Sequence, residues 1–496
     1  MSTFETLTGR VNDVLCAVNA LQWDARVMMP PGGAETRGQQ IATLKGLARQ
    51  MILAPEMGDA AEAALEAATT ETDHRAAQAV LEARAYHARL PASLLQAQAE
   101  SAAIANAAWV EARARSDFAI FRPHLERSVA LARQQAEALG YDGHPYDPMV
   151  DLFEPGETAA SLSALFDELR AGLRPILDAA LGRPAPRRDF LFRDFPVAEQ
   201  QRFCHEIAGA MGFDFDRGRL DTTVHPFEIS QTRNDVRITS RWTPGYLPMA
   251  IFGSLHETGH GLYELGVDPG LTRSVHATDL RGLYAVGGTS FGMHESQSRL
   301  IENHVGRSPA FWARHFGRLR DTFPEQLGDV TLEDWLAAIN CAQPGFIRIE
   351  ADELTYDLHI MLRVRIEMAL MDGSLEVAEV PGVWAEAMAQ DLGLKVPDDA
   401  RGCLQDVHWS HNYFGSFPTY TIGNLTAARL FAQLQQDPAI ATGLAQGDYA
   451  PLRSALQAQV WRHGRARSRR ELLETAAPEI GETEAYLAHL HDRFAA

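Results

Sequence analysis

The chain has almost no lysine: of its 496 residues only Lys45 and Lys395 carry that side chain, and arginine supplies the rest of the positive charge. Positive charge is short altogether, with 45 Lys+Arg against 65 Asp+Glu and a net charge of −20. Neutralising a phosphate backbone needs a cationic face, so a nucleic-acid partner is disfavoured. Cysteine is scarce too. Cys16, Cys204, Cys341 and Cys403 stand far apart and form no CxxC pair. This argues against a disulfide framework or a thiolate metal site and fits a reducing compartment. No apolar run approaches the roughly 18 residues of a membrane span. The opening residues, Met1 to Arg10, are largely polar with Glu5 as their one acid, unlike the basic-then-apolar start of a secretory leader. A soluble, cytoplasmic protein with no membrane partner is expected. No internal repeat is present.

What remains is an ordinary globular composition, 46% apolar, long enough for about three domains or one large helical unit. Residues 35–54, 59–70 and 74–139 carry helical spacing with few breakers, which predicts a set of long helices. Met29-Pro30-Pro31-Gly32-Gly33 punctuates two of them,. A loop is expected from Gly140 to Gly156, a helix from about Thr158 to Leu181, and a connector from Gly182 to Arg188. Between Phe213 and Trp242 the texture changes: Thr222, Thr223, Val224, Val236, Ile238 and Thr239 are β-branched and interleaved with turn formers. A short hairpin or small sheet is expected there. Helical patterns then resume to the end, broken by a Gly/Tyr/Pro loop from Asn412 to Asn424. The fold class is therefore mostly α with one small β element. The basic run Arg462 to Arg470 reads as a solvated or intersubunit face, since a nucleic-acid role sits poorly with the overall charge.

His256-Glu257-Thr258-Gly259-His260 matches HExxH within a helical stretch from about Met249 to Leu265. Histidines at i and i+4 project from one helix face and can grip one cation. Glu257 lies beside that stripe, in reach of a metal-bound water as general base. Gly259 costs about 1 kcal/mol of helix propensity against alanine, which a purely structural helix has little reason to accept. A catalytic zinc needs a third ligand and an open fourth position. Tyr263 and Gly266 stand where a metzincin carries glycine and histidine, so that class is excluded. Glu264 is on the histidine stripe but a turn too far, about 6 Å along the axis. The better candidate is Glu295, in His294-Glu295-Ser296-Gln297-Ser298-Arg299, which opens another helix. There Glu295, Arg299 and Glu302 share a face, and His294 is the competing ligand.

These residues resemble the carboxypeptidase Taq-type metallocarboxypeptidases, over most of the chain. The resemblance is carried by Trp23-Asp24 and Met28 to Gly33, by Pro145-Tyr146-Asp147 with Glu154-Pro155-Gly156, and by His225-Pro226-Phe227. It continues through Asp235 to Thr239 (DxRxT), the HExxH run, His294 to Gln297, and Ile347 to Asp352. It closes on Gly402 to Trp409 (GxxQDxHW) and Phe417 to Tyr420. One feature departs from that pattern. Glu295 follows His256 by 39 residues, a longer spacing than the family's, with the extra residues expected between Thr272 and Gly292. They would reshape a cleft wall or lid and so bear on substrate preference.

The resemblance implies a saddle-like helical fold with a deep central groove, usually a homodimer. It also implies removal of C-terminal residues from peptides with broad preference, and one divalent metal, usually zinc and sometimes cobalt. The whole chain, 1–496, is then one metallocarboxypeptidase domain, with residues 1–200 mainly scaffold and 201–496 carrying the site. His256, His260 and Glu295 would hold the metal, and Glu257 would move the proton. A free C-terminal carboxylate is best read by an arginine fork. Arg237 and Arg348, inside matched motifs, are the candidates, with Arg401 a weaker third. Either could instead sit in a buried ion pair, Arg237 with Asp235 or Arg348 with Glu350. His408 and Tyr420 are candidate donors to the developing oxyanion, with Tyr420 presented by the loop Tyr413 to Gly423. His225 could line the cleft, and Asp352, Glu353 and Gln405 could orient ligands. Two alternatives stand beside the carboxypeptidase: a related HExxH oligopeptidase cutting internally, and a non-catalytic metal-binding scaffold.

Overall fold

The computed structural model describes residues 2–496, in which twenty-one α-helices and five short strands are seen. The mostly helical expectation is met. Ser2 opens the first helix, Thr3–Val27, by a reciprocal cap with Glu5, the arrangement that satisfies two orphan donors at once. The alanine-rich region becomes Ala34–Leu53, Pro55–Glu66, Glu71–Arg89, Ala92–Arg115 and Phe118–Leu139. Its breaks fall at prolines 55 and 91, at residues 67–70, and at the Ser116-Asp117 turn, where Asp117 caps the next helix. Thr158 caps Ala159–Leu181.

The small β element is a three-stranded sheet: β1 (Gly218–Thr222), β2 (Glu228–Thr232) and β3 (Asp235–Ser240), in the order β1-β3-β2. β2 and β3 form the antiparallel hairpin, and β1 adds in parallel to β3. One expectation fails. The Gly/Tyr/Pro segment does not stay a loop to Asn424, because a helix, Pro418–Leu434, begins inside it. Proline lacks the donor that a first helical turn leaves unused anyway, so Pro418 starts a helix rather than preventing one. Tyr420 is therefore helical.

The chain forms two compact units, each gathered from three stretches that include residues before and after position 200. The first holds the chain up to His87, Pro186–Ile339 and Gly423–Ala485. Its larger core surrounds the HExxH helix Leu247–Gly266 with residues such as Phe203, Trp312, Trp335 and Trp461. A second cluster joins the N-terminal helices to Val275, Leu280 and Ala285. The segment between Thr272 and Gly292 is thus keyed into the N-terminal helices. Asn12 and Asn19 donate to the carbonyls of Ala277 and Ala285 at 3.1 and 2.7 Å. The second unit comprises Ala88–Ala185, Asn340–Ile422 and Tyr486–Ala496. Its centre includes Glu367, which accepts from Tyr146, Trp409 and the Gly415 backbone at 2.7, 2.9 and 3.0 Å.

The basic run is not a free cationic face. Arg465 donates to the Gly288 carbonyl at 2.6 Å and Arg469 pairs with Glu482 at 2.7 Å, so intrachain acceptors take up part of its charge. Among the described residues no helix is long and apolar enough to cross a membrane.

Candidate metal centre

The HExxH helix starts with proline in its first turn and packs against β3 and the helix Val197–Met211. It is buried on almost every side, so its polar residues need partners. His256, His260 and Glu264 follow one another at four-residue intervals along one stripe. The helix Phe291–Arg299, capped by Ser290, crosses close enough to insert Glu295 against that stripe. Gly259 is what permits the approach: a Cβ there would stand 2.3 Å from the Gln297 carbonyl oxygen. Gly423 does the same from another side, since its Cβ would lie 2.5 Å from Glu295 Cγ.

The ligand atoms converge. Glu295 Oε2 lies 3.5 Å from His256 Nε2 and 3.3 Å from His260 Nε2. Bonds near 2 Å to a tetrahedral zinc space its ligand atoms about 3.3 Å apart. The two imidazoles and the carboxylate, whose ligand atoms all lie within 4.8 Å of one another, form a set that could hold a divalent cation. The other faces of these side chains are already held. His256 Nδ1 meets Glu302 Oε2 at 2.9 Å, and Arg299 donates to Glu295 Oε1 at 2.8 Å and to Glu302 at 3.3 Å. His260 Nδ1 meets His294 Nδ1 at 2.6 Å, and His294 Nε2 meets Glu264 Oε1 at 3.0 Å. His294 and Glu264 thus back His260. Glu302, which shares a face with Glu295 in sequence, proves to be the partner of His256. It lies in a wide π-helical turn, Leu300–Val305, a feature often found at functional sites.

The electrostatics separate the carboxylates. Burial pushes Glu257 up to about 8, with the carboxylates of Glu295 and Glu228 adding to the effect. Its Oε2 is buried and has no hydrogen-bond partner. Burial works in the same direction on Glu302, but Arg299 and His256 outweigh it and hold Glu302 down to about 2. Glu295 is likewise held well below the usual carboxylate range against burial, by Arg299 and His256. Burial carries His260 down to about 3, so its ring is neutral and able to offer a lone pair. A buried acid that sequence reasoning passed over, Glu228 on β2, approaches His294 Nε2 to 3.9 Å. Its only signal was adjacency to the His225-Pro226-Phe227 motif.

The remaining candidates lie on other elements. Arg237 makes a two-point pair with Asp235 at 2.8 Å and lies 4.5 Å over the Trp23 ring. His225 is exposed in the connection between β1 and β2. In the second unit the structure brings Arg348, His408 and Tyr420 into one cluster, with Arg348 buried and the other two half-buried. Arg348 pairs with Asp406 at 2.7 Å, not with Glu350, and donates to Tyr356 Oη at 2.8 Å. Its guanidinium lies 5.0 Å over the Tyr420 ring, and His408 Nε2 is 3.2 Å from Tyr420 Oη. Gln405 accepts from the Arg348 backbone at 2.8 Å. Asp352 caps the helix Glu353–Asp372, and Glu353 pairs with His489 and Arg493. Arg401 pairs with Asp398 at 2.9 Å.

The chain is similar to known proteins along its whole length. It is 40% identical to thermostable carboxypeptidase 1 of Thermus thermophilus, over 97% of this chain and 96% of that protein. It is 33% identical to carboxypeptidase 1 of Bacillus subtilis, over 99% and 97%. The solved M32 carboxypeptidase of Deinococcus radiodurans superposes with a TM-score of 0.94 at 37% identity, covering 99% of this chain and 98% of that one. The family model described as carboxypeptidase Taq (M32) metallopeptidase matches residues 3–494. The convergent His-His-Glu geometry and this full-length match place the chain in the carboxypeptidase Taq (M32) family of metallopeptidases.

Proposed function

We infer that this metal-dependent carboxypeptidase hydrolyses the C-terminal bond of peptides with a divalent cation held by His256, His260 and Glu295. The observation that carries the reading is the 3.3 and 3.5 Å spacing of the three ligand atoms beside an unpartnered Glu257 oxygen. Zinc is the proposed ion and cobalt the alternative, because two imidazoles and one carboxylate leave one position open. When bound, such a cation acidifies a water and polarises the scissile carbonyl. Glu257 takes the proton released by the attacking water and delivers it to the leaving amine. Glu302 and Arg299 hold His256 and Glu295 in place through all of this.

The free carboxylate of the substrate is assigned to Arg237 or Arg348. Both are clamped through their Nε and NH2 atoms. Arg237 keeps NH1 unbonded and is the more exposed, at 21% against 7%. His408 and Tyr420 are proposed as oxyanion donors and His225 as a peptide contact. The whole chain is proposed to work as one metallocarboxypeptidase domain, cytoplasmic and homodimeric, with broad preference.

The test is a set of matched peptides carrying either a free C-terminal acid or an amide, with products read by mass spectrometry. Stepwise loss of single residues from the free acids alone is expected. Equal cleavage of the amides would replace the exopeptidase by an internal cutter. Metal-loaded protein that releases nothing from any peptide would leave only a binding scaffold.

A further inference from the structure

His256 and His260 are supported differently. His256 reaches a carboxylate directly, whereas His260 meets a second imidazole. The contact between His260 Nδ1 and His294 Nδ1, 2.6 Å, has room for one proton only. On the far side of His294, Nε2 stands 3.0 Å from Glu264 Oε1. Glu264 is buried and also accepts the backbone N–H groups of Gly287 and Gly288 at 2.9 to 3.0 Å. As an ionised carboxylate it can only accept.

Proton positions along this row are interlocked. If His260 offers the Nε2 lone pair that faces Glu295, its proton must sit on Nδ1. The atom opposite that proton is His294 Nδ1, which must then accept. The remaining proton of His294 is thereby on Nε2, where Glu264 receives it. The opposite order would put a proton on His260 Nε2 and block coordination. The row is also held sterically. A Cβ on Gly288 would stand 2.3 Å from His294 Cδ2, Tyr263 lies 5.4 Å from the His294 ring centre to centre, and Arg465 fixes the Gly288 carbonyl at 2.6 Å.

We propose that Glu264 and His294 are positioning residues that set the His260 tautomer through a carboxylate–imidazole–imidazole row, so that His260 Nε2 faces the cation as a lone pair. The proposal rests on the metal reading above. It also assigns a task to the long segment between the two metal motifs, since the Gly287-Gly288 turn supplies the cradle that orients Glu264.

The test measures dissociation constants for zinc and for cobalt on the full chain, by competition with a chromophoric chelator, in wild type, His260→Ala, His294→Leu and His294→Asn. Leucine and asparagine match in size, but only asparagine keeps an acceptor near the Nδ1 position. His294→Leu is expected to weaken zinc binding roughly 10- to 100-fold, the usual effect of losing an outer partner, and His294→Asn to recover most of it. Equal weakening by both substitutions, or none by leucine, overturns the row and leaves the metal site intact. Unchanged affinity in His260→Ala sinks the metal reading instead. A readout independent of variant folding is the nitrogen-15 spectrum of histidine-labelled, zinc-bound wild type. His294 protonated on Nε2 is expected, and His294 protonated on Nδ1 alone refutes the proposal.

Discussion

Gly259 and Gln297 are in backbone contact: a Cβ on Gly259 would lie 2.3 Å from the Gln297 carbonyl oxygen and 2.6 Å from Ser298 Cα. The two helices that carry the proposed ligands therefore touch main chain to main chain. Alanine at 259 gains about 1 kcal/mol of helix propensity but must push the second helix away, and overpacking of this kind costs about 1–3 kcal/mol. Gly259→Ala is expected to lower the thermal midpoint and to weaken metal retention together. Calorimetry and metal analysis after dialysis check it; a more stable, fully loaded variant would refute it.

Glu257 is proposed as the general base and is not among the three proposed ligands. Glu257→Gln is expected to keep its metal and its fold while losing about 10²- to 10⁴-fold in kcat, the usual range for a general acid–base group. Near-normal turnover in a metal-replete variant would remove it from that role.

Removing the cation is expected to abolish peptide hydrolysis and to lower thermal stability, because a ligand bound only by the folded state stabilises it. Zinc or cobalt should restore both. Glu295→Ala should lose metal on dialysis, and unchanged retention would point to a ligand set without residue 295.

Asp406 lies between Arg348 and Arg363, accepting from the first at 2.7 Å and from Arg363 Nε at 2.6 Å. Burial pushes its carboxyl up, but the two guanidiniums outweigh that and hold it far below the ordinary value of 3.8. A depressed folded value means stability that is present in full above the unfolded value and lost as pH falls below it. Asp406→Asn breaks a buried pair and should cost about 3–5 kcal/mol at neutral pH. Denaturant titrations from pH 7 downward should show the gap to wild type narrowing once pH falls below about 3.8, and a gap independent of pH would contradict the assignment.

The two arginine candidates separate kinetically. If Arg237 binds the terminal carboxylate, Arg237→Ala raises KM for free-acid peptides with less effect on kcat. Arg348→Ala should destabilise the second unit, because it removes one of the two guanidiniums that hold Asp406. Normal KM in a folded Arg237→Ala variant would transfer the role to Arg348.

Parts of this site were legible before any fold was known. His256 and His260 share a helical turn, so their convergence is local geometry. The pair of Arg237 with Asp235 was visible too, because residues i and i+2 of a strand share a face. Glu302 could be placed beside Glu295 and Arg299 by helical spacing, yet its bond to His256, 46 residues away, could not. Glu264 looked like a ligand one turn too distant, and only His294, 30 residues on, explains why it lies on the stripe. Arg348 pointed to Glu350 by proximity in sequence, but an Asp406 58 residues downstream took it.

The mostly helical class, the expectation of a cation gripped by two imidazoles and an acid, and the residues proposed to hold it could all be read along the chain. These depend on periodicity and side-chain type, which the chain carries at short range. Tertiary structure alone decided which buried groups satisfy one another: Glu302 with His256, His294 with His260, Asp406 with Arg348. A charged or polar group removed from water must find a partner in space, and the identity of that partner depends on which elements pack together, which for the two histidine pairs turns on a glycine thin enough to let two backbones meet.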